Sequence, residues 1–479
     1  MATTCPPKEP LVAILGTTGT GKSDLAVDLA LRFNGEIINA DAMQMYKGLP
    51  VITNQLSSKE QRGIPHHLLA AIDPAEPTCT VDVFAREATK LICEIRSRGK
   101  LPIVVGGTLY YIHALLFEDH IVSSLGVDSG SSQHRSQEEN MVQFPILEGP
   151  TDLMLERLRE VDPVMADRWH PDDRRKIKRS LEIFLTTGKR ASDIYAQQKQ
   201  AKQPSNSASG PWQSLMFWVY TDPDVLKKRL DKRVDNMCDN GLMDEVRSLH
   251  ESRRLRSEQG EDVDVTRGIW QSIGYKQMAP FLEAEQDGPS QTRTDQLKEA
   301  GLEEMKIATR QYARYQSRWI RNKSIPALKD YGAMDYLFLL DSSNPQSFSA
   351  DVLESAAKIC SGFLNGQALA KPAEVSSTAN EILAAFEKSA ATPPVVMKVK
   401  TCEICNMSLQ SDDQWEKHIK GRKHRRALLG KKKTALICLD QEEKFPEGQL
   451  PQLPTPKVSS NDDANINLVE GEEKENLSI

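Results

Sequence analysis

No run of about twenty apolar residues occurs in the chain, so no segment is expected to cross a membrane as a helix. The first ten residues carry neither a secretory apolar core nor the Arg-rich amphipathic pattern of a transit peptide, and no such leader is expected there. Cysteine is sparse, at 8 in 479 residues. That excludes a disulfide scaffold, and six of the eight are scattered as reduced cytosolic or nuclear thiols would be. No internal repeat is visible. Net charge is only −6, but its distribution is uneven. Lys398 to Lys433 holds eleven Lys/Arg against four Asp/Glu, and Thr434 to Ile479 holds three against ten. A basic block followed by an acidic tail suits a polyanion-binding patch and then a solvated end. The length exceeds what one core fills, so about two to four folded units are expected.

What is present begins with Gly16-Thr17-Thr18-Gly19-Thr20-Gly21-Lys22-Ser23. An apolar, strand-like run, Leu11 to Leu15, leads in. A helix-like run, Lys22 to Phe33, leads out with Leu25, Ala26, Leu29, Ala30 and Phe33 on one face. The pattern G-x-x-x-x-G-K-S makes a tight loop whose backbone N–H groups point at an anion. Lys22 adds a point charge, Ser23 can hold a magnesium ion, and the helix adds its positive end. The chain is therefore expected to bind a di- or triphosphate. A typical P-loop NTPase also has an apolar strand ending in a metal-holding Asp. The candidate here, Leu101 to Val105, ends in Gly106-Gly107-Thr108 with no acid. That argues against a motor or switch ATPase. Small-molecule kinases remain, as do enzymes that use a phosphate as handle or leaving group.

Strand-like runs at 11–15, 36–39 and 101–105 alternate with helix-like runs at 22–33, 83–98 and 108–117. Further strands are expected at 214–220 and 337–340, and long amphipathic helices at 224–255 and 295–321. The expected fold is α/β: a P-loop NTPase-like parallel sheet flanked by helices, with a helical insertion and a C-terminal zinc finger. The expected division is a first core part at 1–120, a flexible loop and helical insertion at 121–213, and a second core part at 214–342. A linker follows at 343–397, with one or two helices expected within 343–395, then the finger at 398–430 and a disordered acidic tail at 431–479. In such a sheet, ligands gather at the carboxyl ends of the strands. The loops there are Gly16 to Ser23, Ala40 to Tyr46 and Gly106 to Thr108.

Cys402, Cys405, His418 and His424 follow the C-x2-C…H-x5-H spacing of a tetrahedral Zn2+ site. About thirty residues bury too little surface to fold alone, and the metal supplies the difference. Lys420, Arg422, Lys423, Arg425 and Arg426 flank the histidines. Charge alone leaves open whether they meet nucleic-acid phosphates, form a solvated face or direct nuclear import.

Taken together, these motifs resemble the tRNA dimethylallyltransferases, also called tRNA isopentenyltransferases, over residues 11–340. The markers are Gly16 to Ser23, Ile38-Asn39-Ala40-Asp41-Ala42-Met43-Gln44-Met45-Tyr46, Gly63 to His67, Val105 to Tyr111, Arg233-Val234-Asp235 with Met237, Gly241-Leu242, Trp270 to Tyr275, and Thr309 to Ala313. The finger resembles the one appended in eukaryotic, notably fungal, members. The resemblance implies transfer of a dimethylallyl group from dimethylallyl diphosphate to N6 of the adenosine just 3′ of the tRNA anticodon. It implies that Gly16, Thr17, Thr18, Gly19, Thr20, Gly21, Lys22 and Ser23 hold the diphosphate with Mg2+. Asp41 would be the general base, Arg233 the catalytic arginine, and Thr108 would line the reaction centre. The residues alone leave Asp41 equally open as a loop aspartate capping its turn. As a free side chain it would have a pKa of about 3.9, so its value would lie in position. Asp41, Ala42, Met43, Gln44 and Thr108 are expected to meet the tRNA. So are Arg174, Arg175, Lys176, Lys178 and Arg179 of the insertion, a basic stretch suited to anticodon-loop phosphates around a flipped base. Ala42 stands where relatives usually have Ser, and Tyr315 where they often have a basic residue.

Three alternatives remain from the sequence: a small-molecule or nucleotide P-loop kinase, a prenyltransferase acting on free adenine nucleotides, and a non-catalytic RNA-binding protein with a relic P-loop. The free-nucleotide enzyme needs neither the basic insertion nor the finger. The expected compartment is the cytoplasm, with nuclear and mitochondrial pools left open, and the resemblance implies a monomer.

Overall fold

Strand β1 (Pro10–Gly16) is uncharged and all but its first residue is buried. It lies inside a six-stranded, wholly parallel sheet of order β3-β2-β4-β1-β5-β6. The other strands are β2 (Gly35–Asn39), β3 (His66–His67), β4 (Leu101–Val105), β5 (Gln213–Tyr220) and β6 (Leu337–Asp341). A strand buried on both faces reads as a continuous apolar run, as β1, β4 and most of β5 do. The computed structural model describes residues 6–76, 78–117, 144–201, 213–261, 263–287, 291–389, 400–405, 407–409, 412–422 and 424–429. Residues 121–143 and 202–212 of the expected loop and insertion at 121–213, and the whole tail at 431–479, lie outside the described residues.

Alternation along the strands divides the core in two. Val12, Ile14, Ile37, Ile103, Phe217 and Phe338 face one side, against Leu25, Ala26 and Leu29 of helix α1 (Lys22–Arg32). Leu11, Ala13, Ile38, Val104, Trp218 and Leu339 face the other. There they meet Phe84 and Ile92 of α2 (Val81–Ser97) and Ile112 and Leu115 of α3 (Leu109–Leu116). From β1 the chain turns toward β2 on one side; from β4 it departs toward β5 on the other. The two adjacent strands β1 and β4 thus flank the switch point, where an open α/β sheet leaves a crevice.

The insertion carries its own core. Helices Thr151–Val161, Pro163–Arg168, Arg174–Thr187 and Ala191–Ala201 bury Met154, Leu158, Met165, Ile177, Leu181 and Ile194 together. Asp162, fully buried, accepts from the N–H groups of Met165 and Ser192 and so caps the Pro163–Arg168 helix while tying down the start of Ala191–Ala201. The single helix expected at 224–255 is two helices, Pro223–Asp239 and Leu242–Glu258, because Gly241 breaks them with φ of +94°. A third apolar cluster joins them to Tyr46, Ile52, Trp270 and Tyr275. The helix Gln291–Trp319 follows and reaches the carboxyl end of the sheet.

In the described part of the expected linker, up to residue 389, two helices pack on the sheet. Helix Ser355–Leu364 packs Ala356, Cys360 and Phe363 on the α1 face of the sheet. Helix Ser377–Ser389 packs Ala379 and Leu383 on the opposite face. Its small and apolar residues fall at helical spacing, which the polar content between them obscures. Residues 396–479 form a separate unit. Its described part is an antiparallel hairpin of β7 (Lys400–Cys402) and β8 (Met407–Leu409), then helix Asp412–Ile419. Among the described residues, no helix is long and apolar enough to cross a membrane.

Candidate active site

Gly16 to Ser23 run from the end of β1 into the first turn of α1. Gly19 and Gly21 both hold φ of +88°, which an L side chain rarely adopts. The loop lies beside a cavity of 250 Å³ lined by Thr18, Gly19, Gly21, Lys22 and Ser23. The same cavity is lined by Asn39, Asp41 and Gln44 after β2, by Gly106 and Gly107 after β4, and by Arg233. The loops expected to gather ligands therefore do converge.

On the anion side, Lys22 Nζ donates to Thr17 O at 2.6 Å. Burial lowers the Lys22 ammonium to about 8; Asp41 opposes this and Arg233 adds to it. Arg233, on the Pro223–Asp239 helix, donates from Nη1 to Thr18 Oγ1 at 2.6 Å. Burial lowers its pKa too, with Asp24 acting the other way, yet a guanidinium stays charged. Two partly desolvated cations and a helix N-terminus face one small space, a setting that favours a multiply charged anion.

On the opposite side, Asp41 is held in an Asx turn. Its Oδ1 accepts from the Met43 N–H at 3.1 Å, and Asn39 Oδ1 accepts from the Asp41 N–H at 3.2 Å. Asn39 Nδ2 donates to Asp41 O and Leu68 O, fixing the loop to the neighbouring strand end. Burial raises the Asp41 carboxyl above its ordinary value, against the N–H groups of Met43, Gln44 and Gly107 and the Lys22 charge. The capping role and the cavity-facing role coexist on one side chain.

Thr108 joins the loops. Its Oγ1 accepts from the Ala42 N–H at 2.9 Å and its N–H donates to Ala40 O at 3.1 Å. Ala42 thus makes the loop-to-loop contact with its backbone. Gly106 lies so close to Ala40 that a Cβ there would sit 2.1 Å from the Ala40 carbonyl. Side chains of Ala42 and Met43 pack into apolar clusters. Their N–H groups meet Thr108 Oγ1 and Asp41 Oδ1. Gln44 lines the cavity and donates from Nε2 to Asn54 O.

One participant was not foreseen. Gln316 is 1% exposed. Its Oε1 accepts from the Thr18 N–H at 2.9 Å and its Nε2 donates to Gly107 O at 2.9 Å. A single amide therefore spans the anion loop and the loop against Asp41. Tyr312, one turn earlier, donates to the same carbonyl at 3.3 Å. Two carboxylates were also missed. Asp24, at the exposed rim, and Glu60 line the cavity beside Ser23. Loss of hydration and the Glu60 charge push Asp24 above the usual carboxylate range. Asp24 and Glu60 thus put hard oxygen atoms on the same cavity wall as Ser23.

The insertion's cations are placed less simply. Arg174 donates to Gly149 O at 2.5 Å and so secures a turn. Lys176 pairs with Asp173, Lys178 with Glu148 and Arg179 with Glu182. Arg175 is exposed and makes no hydrogen bond among the described residues. The three ion pairs are solvent-facing, hence weak and easily exchanged for a phosphate.

In the separate C-terminal unit, the ligand atoms of Cys402, Cys405, His418 and His424 lie within 4.8 Å of one another. Both sulfurs are 3.5 Å from His424 Nδ1, which is 3.1 Å from His418 Nε2. Bonds of about 2.0–2.3 Å to one Zn2+ imply edges of roughly 3.3–3.8 Å, so the set fits that ion.

Residues 44–323 match the family described as IPP transferase, and residues 400–424 match a zinc finger of C2H2 type. The chain is 38% identical over 443 residues to the tRNA dimethylallyltransferase of Schizosaccharomyces pombe, covering 89% of this chain and 96% of that protein. It is 36% identical to the human tRNA dimethylallyltransferase, with 87% and 85% covered. A solved structure of a eukaryotic dimethylallyltransferase acting on tRNA superposes with a TM-score of 0.73 at 31% identity, over 91% of this chain and 100% of that one.

Proposed function

This chain belongs to the IPP transferase family, and on that premise we propose that it moves a dimethylallyl group from dimethylallyl diphosphate to N6 of the adenosine 3′ of a tRNA anticodon. The observation that carries the reading is the meeting of Lys22, Arg233 and Asp41 around one 250 Å³ cavity. The N6 lone pair attacks the allylic C1, the C1–O bond breaks, and its electron pair leaves with the diphosphate. Negative charge gathers on that leaving group in the transition state. Lys22, Arg233 and the loop N–H groups are already aimed there, so little reorganisation is needed. Asp41 takes the N6 proton as the new bond forms, which keeps the adenine from carrying a positive charge. Ser23, with Asp24 and Glu60 beside it, would hold Mg2+; when bound, that ion neutralises diphosphate charge. The chain's own cations hold and orient the diphosphate.

A kinase reading is disfavoured by the same geometry. β4 ends in Gly106-Gly107, where a phosphoryl-transfer enzyme would place a metal-holding acid, and Gln316 already occupies the Thr18 N–H. Incubation with dimethylallyl diphosphate, magnesium and tRNA, followed by mass analysis of the nucleosides, tests the reading. N6-dimethylallyladenosine is expected, and unmodified adenosine would contradict it.

Because burial raises Asp41, the proton acceptor titrates above the usual carboxylate range. The sign follows directly: the base must be unprotonated, so the rate falls as pH drops through that raised value. A pH–rate profile should show an acid limb displaced upward from that of an ordinary aspartate. An acid limb with no upward displacement would remove Asp41 from the proton-transfer step.

We also assign Gln316 as a positioning residue. Gln316→Asn is one methylene too short to bridge Thr18 and Gly107. It should lower kcat about 100-fold, the scale of a misplacement near 1 Å, with smaller changes in both KM values. A loss of thermal stability with kcat retained in the folded fraction would make the residue merely structural.

A further inference from the structure

Tyr110 and Tyr315 are exposed by 45% and 52%. Both rings lean on Trp319, with centroids 5.9 Å and 6.0 Å from it. Tyr110 stands two residues beyond Thr108, in the first turn of α3. Tyr315 stands three residues beyond Tyr312, whose hydroxyl reaches Gly107 O. At that spacing Tyr312 and Tyr315 share a face of their helix. The aromatic group is therefore anchored at both ends to the loop that borders the cavity. The charges of Arg179 and Arg175 act on the Tyr110 hydroxyl, as do Asp82 and Tyr195, so the insertion's basic helix lies alongside.

Large aromatic rings left in water forgo the gain of burial, and a contiguous exposed group of them marks a contact surface. Aromatic faces bordered by arginines fit unpaired nucleic acid: the rings stack bases and the guanidinium groups meet phosphates. A base has a π-face whatever its sequence, so stacking holds it without reading it.

We propose that Tyr110 and Tyr315, braced by Trp319, form a ledge that stacks an unpaired nucleobase of the substrate RNA next to the adenosine entering the cavity. This rests on the transferase reading above. The ledge holds a neighbouring base, so that the target base can leave the stack without releasing the loop.

The test is direct binding of a fluorescein-labelled anticodon stem-loop RNA by the full chain, across a salt series. Tyr110→Ala and Tyr315→Ala should each weaken binding about tenfold or more with the salt slope unchanged, and Tyr315→Phe should bind within about twofold of the parent. Tyr315→Arg should steepen the slope by about one counterion. Full binding by both alanine variants would overturn the proposal, as would weakening matched by Tyr315→Phe, which would make the hydroxyl the contact. A ledge that serves a protein partner would show as unaltered RNA binding. The measurement needs no turnover. Failure of the transferase reading would appear separately, as parent binding without a modified nucleoside.

Discussion

Replacing Asp41 by alanine is expected to slow transfer about 100- to 10,000-fold, the range supplied by a placed general base, while RNA affinity stays close to that of the parent. The side chain is half-buried, and the N–H groups of Met43, Gln44 and Gly107 act on its carboxyl. Its position is therefore set by backbone. Asp41→Asn keeps the shape and turns an acceptor into a donor toward N6. It should be as inactive as alanine, which separates basicity from packing. Single-turnover rates and stem-loop binding measured on the same preparations check both. A variant that turns over normally would remove Asp41 from the chemistry, and a parallel loss of RNA binding would make it a substrate anchor.

Arg233→Ala is expected to cost about 100- to 1,000-fold in kcat, as loss of one preorganised donor to a developing anion does. The parent guanidinium is half-enclosed and holds Thr18 Oγ1 at 2.6 Å. Its charge counts for more there than it would in water. If it acts mainly on the departing diphosphate, kcat falls further than KM for the allylic donor rises. Arg233→Lys should recover little, because a single ammonium cannot reproduce the planar fork. Equal changes in kcat and KM would assign Arg233 to ground-state binding.

Much of this site could be read from residues that lie near one another in the chain. Gly16 to Ser23 is a local motif whose loop geometry follows from its glycines, and Cys402 to His424 is another. The strands at 11–15, 101–105 and 214–220 are uncharged runs and all enter the sheet. Gln316 was illegible for the opposite reason. It meets Thr18 and Gly107 across separations of 298 and 209 residues, and a glutamine in an amphipathic helix looks like any surface amide. β3 is two residues long, too short to show a period. The Asp41 pKa depends on what surrounds the loop, which is set by four separate segments. One or two helices were expected between 343 and 395, but the packing of 355–364 and 377–389 on the sheet was hidden by their small residues. Alanine and glycine pack well against a sheet yet give a weak apolar signal.

The measurement that bears most directly on the shared cavity follows both products of one enzyme turnover in the presence of tRNA, magnesium, dimethylallyl diphosphate and excess ATP. Diphosphate release and N6-dimethylallyladenosine should rise together in equal amounts, and no orthophosphate should come from ATP. Orthophosphate released from ATP while the allylic donor stays intact would contradict a phosphate loop that serves a leaving group.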